Sequence, residues 1–133
     1  MASITEQVAL EVSADRAWAA LRDVGRAHVL FAPVLTDGSI QGDLRTVTFA
    51  NGTVLRERIL DVDDVGRRVA YAALDAPGTE YHHASMQIIE DGDRRCRFVW
   101  ITDAHPAAVI AAITPLIAQG TQALKANLES GRV

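Results

Sequence analysis

Hydrophobic and polar side chains alternate along most of this 133-residue chain. A period of two is typical of half-buried strands, because successive side chains point to opposite faces of a sheet. Turn pairs punctuate the alternation at Asp37-Gly38, Asn51-Gly52, Pro77-Gly78 and Asp91-Gly92. The pattern predicts seven strands, near residues 4–12, 35–41, 43–50, 53–62, 67–75, 80–90 and 94–103. Their connections are too short for crossovers, so the strands are expected to be antiparallel.

A short helical pattern follows the first strand. Ser13 offers an N-cap hydroxyl, and the helix is expected to run through about Val24, with Gly25 just beyond its C-terminus. Its apolar face consists of Ala14, Ala17, Trp18 and Leu21. Residues 26–32 are expected to form another helical turn before Pro33.

The last stretch, from His105 to about Leu128, predicts one long helix without a charged side chain between Pro106 and Gln122. A single long helix that closes a chain of strands is what those strands must wrap around. The expected fold class is therefore α+β, a seven-stranded antiparallel sheet curved around a C-terminal helix. Several inward helix positions are Ala or Gly, which leaves room for a cavity between sheet and helix. Close packing of these small residues without a cavity is the alternative.

Composition narrows the class of partner. Hydrophobic residues make up 49%, charged residues 23%, and the net charge is −4, which excludes the basic face that nucleic acid requires. A single cysteine, Cys96, allows no internal disulfide and no multi-cysteine metal site. The N-terminus lacks a signal-peptide pattern, and the last helix is too interrupted to span a bilayer. We expect one cytoplasmic domain, residues 1–133, without metal, cofactor or stable membrane insertion.

One hairpin carries the most informative pair of charges. A three-residue loop of Ala50, Asn51 and Gly52 is the choice that puts the apolar residues of both strands on one face. That register places Arg45 directly opposite Glu57 on the inner face of the sheet. The pair is either catalytic, with Glu57 as general base and Arg45 binding a ligand carboxylate or enolate, or a buried ion pair that fixes the hairpin register.

The cavity wall is expected to combine aromatic and aliphatic residues. Strand 80–90 is ambiguous, and we expect Tyr81, His83 and Ser85, rather than Ala84, Met86 and Ile88, to face the cavity. His83 is then a further candidate general base. The expected ligand-binding residues are Phe49, Tyr71, Tyr81, Phe98, Trp100, Ile113, Leu116 and Gly120.

The order of these motifs resembles the START-like (SRPBCC) superfamily, and in particular its polyketide cyclase/dehydrase-like branch. The resemblance covers residues 3–130 and is carried by VSADRAWAAL, the GDLRTVTFANGTVLRERIL hairpin, RFVWITD and the long terminal helix. It implies a helix-grip fold with a hydrophobic cavity. The resemblance supplies no catalytic motif that can be carried over to this chain. Function must therefore be argued from the site, because fold does not determine function.

Three hypotheses of function remain open. The first is cyclase- or dehydratase-like chemistry on a small hydrophobic molecule. The second is a non-catalytic binding or carrier protein for a small apolar metabolite or lipid. The third is a homodimeric module that pairs through the outer face of the last helix, so both a monomer and a homodimer are compatible with the sequence.

Overall fold

The computed structural model describes residues 2–133. Seven strands form one antiparallel sheet, β1 (Ala2–Leu10), β2 (Leu35–Gln41), β3 (Leu44–Phe49), β4 (Val54–Asp63), β5 (Arg68–Ala73), β6 (Tyr81–Glu90) and β7 (Cys96–His105). The strand order is β1-β7-β6-β5-β4-β3-β2, so β1 and β2 are the edges. Each chain-adjacent pair from β2 to β7 is joined as a hairpin, and β1 closes against β7 from Ala2–Ala104 to Leu10–Cys96.

The helices are α1 (Ala14–Leu21), α2 (Ala27–Leu30) and α3 (Ala108–Glu129). α3 packs against β1 and β7 and touches α2, while α1 covers β6 and β7. Phe98, Leu10, Leu124 and Leu128 are among the largest fully buried side chains and mark the core between sheet and α3. The predicted helix-grip arrangement, with one or two short helices after the first strand, is confirmed.

α1 ends earlier than the sequence predicts. Ser13 caps it as expected, accepting a hydrogen bond from the Arg16 amide, but the helix stops at Leu21. Gly25 is not its C′ residue and instead lies in a single 3₁₀ turn, Val24–Arg26. A Cβ on Gly25 would sit 2.8 Å from Cγ2 of Ile40, so the glycine permits close approach to β2.

α3 consists of two different halves. Its second half supplies the buried residues Ile117, Gly120, Thr121, Leu124, Asn127 and Leu128. In the first half Ala108, Ala111, Ala112 and Pro115 are exposed, although the segment is apolar. The helix continues through Pro115, which removes one backbone donor. Only the second half is therefore part of the close-packed core.

Asn127 fixes the second half of α3 to α2. Its Nδ2 donates to the carbonyl oxygens of Leu30 and Ala32, both at 2.8 Å, and its Oδ1 accepts from Arg132 Nε at 3.0 Å. The amide is 5% exposed, so these bonds replace water that could not reach the two carbonyls. No helix in residues 2–133 is long and apolar enough to cross a bilayer.

Candidate functional site

The β3–β4 hairpin forms in the register that the sequence predicts. The amide of Phe49 donates to the carbonyl of Thr53 at 2.8 Å, which leaves Ala50, Asn51 and Gly52 as a three-residue loop. Gly52 has φ of 90°, a conformation that favours glycine. Arg45 consequently pairs with Glu57 across the two strands.

Arg45 and Glu57 form a buried ion pair. The two residues are only 6% and 7% exposed. Arg45 Nη2 lies 2.8 Å from Glu57 Oε1, and Arg45 Nε donates to the same oxygen at 3.0 Å. Both of these nitrogen atoms therefore approach the same carboxylate oxygen, and neither of the two contacts is with Glu57 Oε2.

The remaining contacts of Arg45 are with the protein itself. Its Nη1 donates to the Val24 carbonyl at 3.2 Å, and its guanidinium carbon lies 5.2 Å from the centroid of the Tyr71 ring. Arg45 is not on the wall of the cavity described below. The expected role of Arg45 as a direct ligand contact is thus not supported by its position, because its donors already serve Glu57 and Val24.

A cavity of about 270 Å³ lies between the sheet and the first half of α3. Its wall is formed by residues of β3, β4, β5, β6 and β7, of the β3–β4 turn, of the β5–β6 loop and of α3. The lining residues are Phe49, Asn51, Thr53, Leu55, Glu57, Tyr71, Ala76, Pro77, Thr79, His82, Trp100, Thr102, Val109, Ala112, Ile113, Leu116 and Ile117. The wall is mostly apolar, with a few polar groups, as is typical of small-molecule sites.

Glu57 is the carboxylate on this wall. Burial raises the pKa of Glu57, and the charge and hydrogen bonds of Arg45 offset only part of that effect. A carboxyl group with a raised pKa exchanges protons closer to neutral pH than an exposed one does. Glu57 therefore combines access to the cavity with the acidity of a candidate proton-transfer group.

Tyr71 and Trp100 adjoin Glu57. Burial, reinforced by the negative charge of Glu57, raises the pKa of Tyr71, and Arg45 and the Trp100 indole oppose this only in part. The phenol consequently stays protonated and can donate. The Trp100 indole N–H interacts with the Tyr71 phenol. Within residues 2–133 it makes no hydrogen bond of ordinary geometry, although it is buried.

The expected facing of β6 is wrong. Ala84, Met86 and Ile88 are buried, whereas Tyr81 and His83 are exposed and stack at 4.2 Å between ring centroids outside the cavity. The ordinary apolar alternation of the strand determines its orientation, because α1 covers the inner face of β6.

His82, which shares the inner face of β6, is the imidazole on the cavity wall. Burial, together with neighbouring His83, lowers the pKa of His82, so the ring is neutral at pH 7. Its Nδ1 is buried without a partner in the described structure. This ring takes the place that the sequence prediction gave to His83.

A family model identifies the protein family to which this chain belongs. The model of the family described as polyketide cyclase / dehydrase and lipid transport matches residues 1–129. The chain belongs to this family. No curated protein matches it in sequence.

Solved structures with the same fold include members with different described roles. The chain shares 22% identity with norcoclaurine synthase from Thalictrum flavum, solved in complex with dopamine and hydroxybenzaldehyde. The match covers 98% of this chain and 84% of that one, with a TM-score of 0.74. The di-domain ARO/CYC BexL of the BE-7585A biosynthetic pathway matches at 14% identity, 97% and 47% coverage and a TM-score of 0.82. A START superfamily protein from Mycobacterium smegmatis matches at 10% identity. The match covers 96% of this chain and 97% of that one, with a TM-score of 0.81. At these identities the likeness concerns the fold.

Five expected ligand-binding residues lie on the cavity wall: Phe49, Tyr71, Trp100, Ile113 and Leu116. Phe98 and Gly120 do not, because they support Trp100 from behind. The Phe98 and Trp100 rings meet edge to face at 6.1 Å, and a Cβ on Gly120 would lie 3.1 Å from Trp100 Cζ3. Phe98 and Gly120 therefore position the indole of Trp100 and do not themselves line the cavity.

Several wall residues escaped the sequence interpretation. Thr102 and Leu55 lie on the inner faces that alternation already assigned to Trp100 and Val47, so the same signal could have found them. Pro77 and Thr79 belong to a loop whose course no periodicity indicates. No group of three or more His, Cys, Asp or Glu in residues 2–133 could hold a metal ion.

Proposed function

We propose that this family member binds one small apolar molecule in the cavity, with Glu57 as its main polar contact, and that Glu57 exchanges a proton with that molecule. The observation that carries the proposal is the position of Glu57. Its buried carboxyl group lies on the cavity wall, and the contacts of Arg45 are with Oε1.

The dimensions of the cavity favour a small ligand. Its volume of about 270 Å³ lies just below the roughly 300–1,000 Å³ that is usual for small-molecule sites. A long lipid chain would extend beyond it. Membership of a family described by cyclase, dehydrase and lipid-transport roles is compatible with binding in this place.

The chemistry that fits is proton abstraction next to a carbonyl group. Ionised Glu57 would take a proton from the ligand carbon, leaving an enolate whose oxygen accepts hydrogen bonds from Tyr71 or Trp100. Return of the proton from Glu57 to another ligand atom would complete an isomerisation, or to a leaving hydroxyl a dehydration. Donors aimed at developing negative charge stabilise such steps.

A carrier without turnover is the second candidate. The ion pair and hydrogen bond between Arg45 and Glu57 Oε1 favour it, because an ion-paired carboxylate is a weaker base. The two candidates share the binding site and differ only in the role of Glu57.

Native mass spectrometry of freshly purified protein tests the binding claim. We expect an added mass of one small organic molecule that disappears when the protein is denatured. Absence of any bound mass, together with no binding of small apolar probes, would contradict the proposal. If the bound molecule is converted, Glu57→Gln should abolish conversion and keep the added mass, whereas unchanged conversion would exclude proton transfer by Glu57.

A further inference from the structure

Building on the proposed binding function, we propose that the cavity selects uncharged molecules that carry a hydroxyl group and rejects carboxylates and ammonium ions of the same shape. The charge of the wall is the first reason. Among the described residues that line the cavity, only Glu57, Tyr71 and His82 are ionisable, and none is Lys or Arg. No cation is placed to receive an anion.

Arg45 cannot bind a ligand anion without breaking the contacts that it already makes. Nε donates to Glu57 Oε1, Nη2 lies 2.8 Å from the same oxygen, Nη1 donates to the Val24 carbonyl, and Tyr71 covers the guanidinium face. The single lysine, Lys125, is bonded elsewhere, to the Ala9 carbonyl and to Glu129. A ligand carboxylate would therefore enter an apolar space beside Glu57 without compensation, which is costly.

A ligand cation meets a related difficulty. Glu57 already has Arg45 at 2.8 Å, so an ammonium group would add a second positive charge to a carboxylate that is neutralised. The other wall residues near Glu57 provide little to hydrate that charge, because Phe49, Leu55 and Ile113 are apolar. The free energy of dehydrating the ammonium is then not recovered.

A neutral hydroxyl group of the ligand can form hydrogen bonds with the polar groups of the wall that Arg45 does not occupy. Its O–H can donate to Glu57 Oε2, and its oxygen can accept from a buried donor. Trp100 Nε1 is such a donor and makes no hydrogen bond of ordinary geometry in residues 2–133, and His82 Nδ1 is also unpartnered. Buried polar atoms without partners are unfavourable, so a ligand that satisfies one of them gains affinity.

Calorimetric titration of the full chain at pH 7 with four probes of one shape tests this selectivity: naphthalene, 2-naphthol, 2-naphthoate and 2-naphthylmethylammonium. We expect 2-naphthol to bind about ten- to a hundredfold more tightly than naphthalene. The two charged probes should bind more weakly than naphthalene. Naphthoate or the ammonium probe binding as tightly as naphthol would overturn the inference and leave the binding function intact, whereas no binding by any probe would overturn both.

Two variants assign the preference to residues. Glu57→Gln and Trp100→Phe should each reduce the ratio of naphthol affinity to naphthalene affinity by about tenfold, since each removes one hydrogen-bonding group from the wall. Glu11→Gln is the matched control, since Glu11 forms an exposed pair with Arg95 at 3.1 Å far from the cavity. An undiminished naphthol advantage in folded Trp100→Phe and Glu57→Gln would contradict the inference. If Glu57→Gln does not fold, the wild-type panel and Trp100→Phe still decide it.

Discussion

Arg45 Nη2 lies 2.8 Å from Glu57 Oε1 on the inner face of the sheet, and both residues are more than nine-tenths buried. The hairpin register puts them opposite each other, and the cavity reaches only Glu57. The arginine therefore compensates the charge of the carboxylate without itself lining the cavity.

Removing the arginine should destabilise the fold strongly. Arg45→Met leaves Glu57 as an uncompensated buried charge, which costs about 3–5 kcal/mol in free energy of unfolding. Arg95→Met is the matched control, because its pair with Glu11 is exposed and should contribute less than about 1 kcal/mol. Urea denaturation measures both. Equal losses of unfolding free energy in the two variants would mean that the buried pair stabilises the fold no more than the exposed pair does.

The raised pKa of Glu57 predicts a particular pH dependence of stability. Between its unfolded value near 4.5 and its higher folded value, the folded state binds more protons at Glu57 than the unfolded state does. The free energy of unfolding of wild type, relative to Glu57→Gln, should therefore be highest below pH 4.5 and fall as the pH rises through the folded pKa.

Denaturation of both proteins across this pH range measures that difference, and carbon NMR of the Glu57 carboxyl titrates it directly. A difference that grows with pH would show that Arg45 outweighs burial and lowers the pKa of Glu57.

Gly120→Ala tests the support behind Trp100. The new Cβ would lie 3.1 Å from Trp100 Cζ3, so the indole must shift by a few tenths of an ångström toward the cavity. The helix gains about 1 kcal/mol from replacing glycine, which offsets this displacement, and stability should change by less than about 1 kcal/mol. Ligand affinity should fall and the Trp100 emission should change.

Ala126→Gly, at an exposed position of α3, calibrates the helix contribution alone. A loss of several kcal/mol in Gly120→Ala would indicate that the indole cannot move, and unchanged affinity would indicate that Trp100 does not bound the ligand.

The sequence was most informative where two constraints coincided. In the β3–β4 hairpin, the Asn51-Gly52 turn and the alternation of Val47 and Leu55 admit one loop length, and that length determines the Arg45–Glu57 pair. The seven strands and α3 follow from equally regular periodicity.

Prediction failed where tertiary packing decided the outcome. A polar cavity wall predicts that Tyr81 and His83 face inward, but α1 packs on β6, and Ala84 and Met86 are the residues that face inward. The sequence pattern places Phe98 and Gly120 on faces that point toward the cavity. In the structure they contact Trp100 and do not line the cavity. Periodicity gives the face of a strand but not the depth of a side chain behind that face.

Filling the cavity from α3 tests the central claim most directly. Ala111 and Ala112 are both exposed, but only Ala112 lines the cavity. Titration of 2-naphthol into Ala112→Phe and Ala111→Phe, both checked for an unchanged fold by circular dichroism, compares the same added volume at two adjacent positions. We predict loss of most binding in Ala112→Phe and wild-type affinity in Ala111→Phe. Equal affinity in the two folded variants would contradict a ligand site between the sheet and α3.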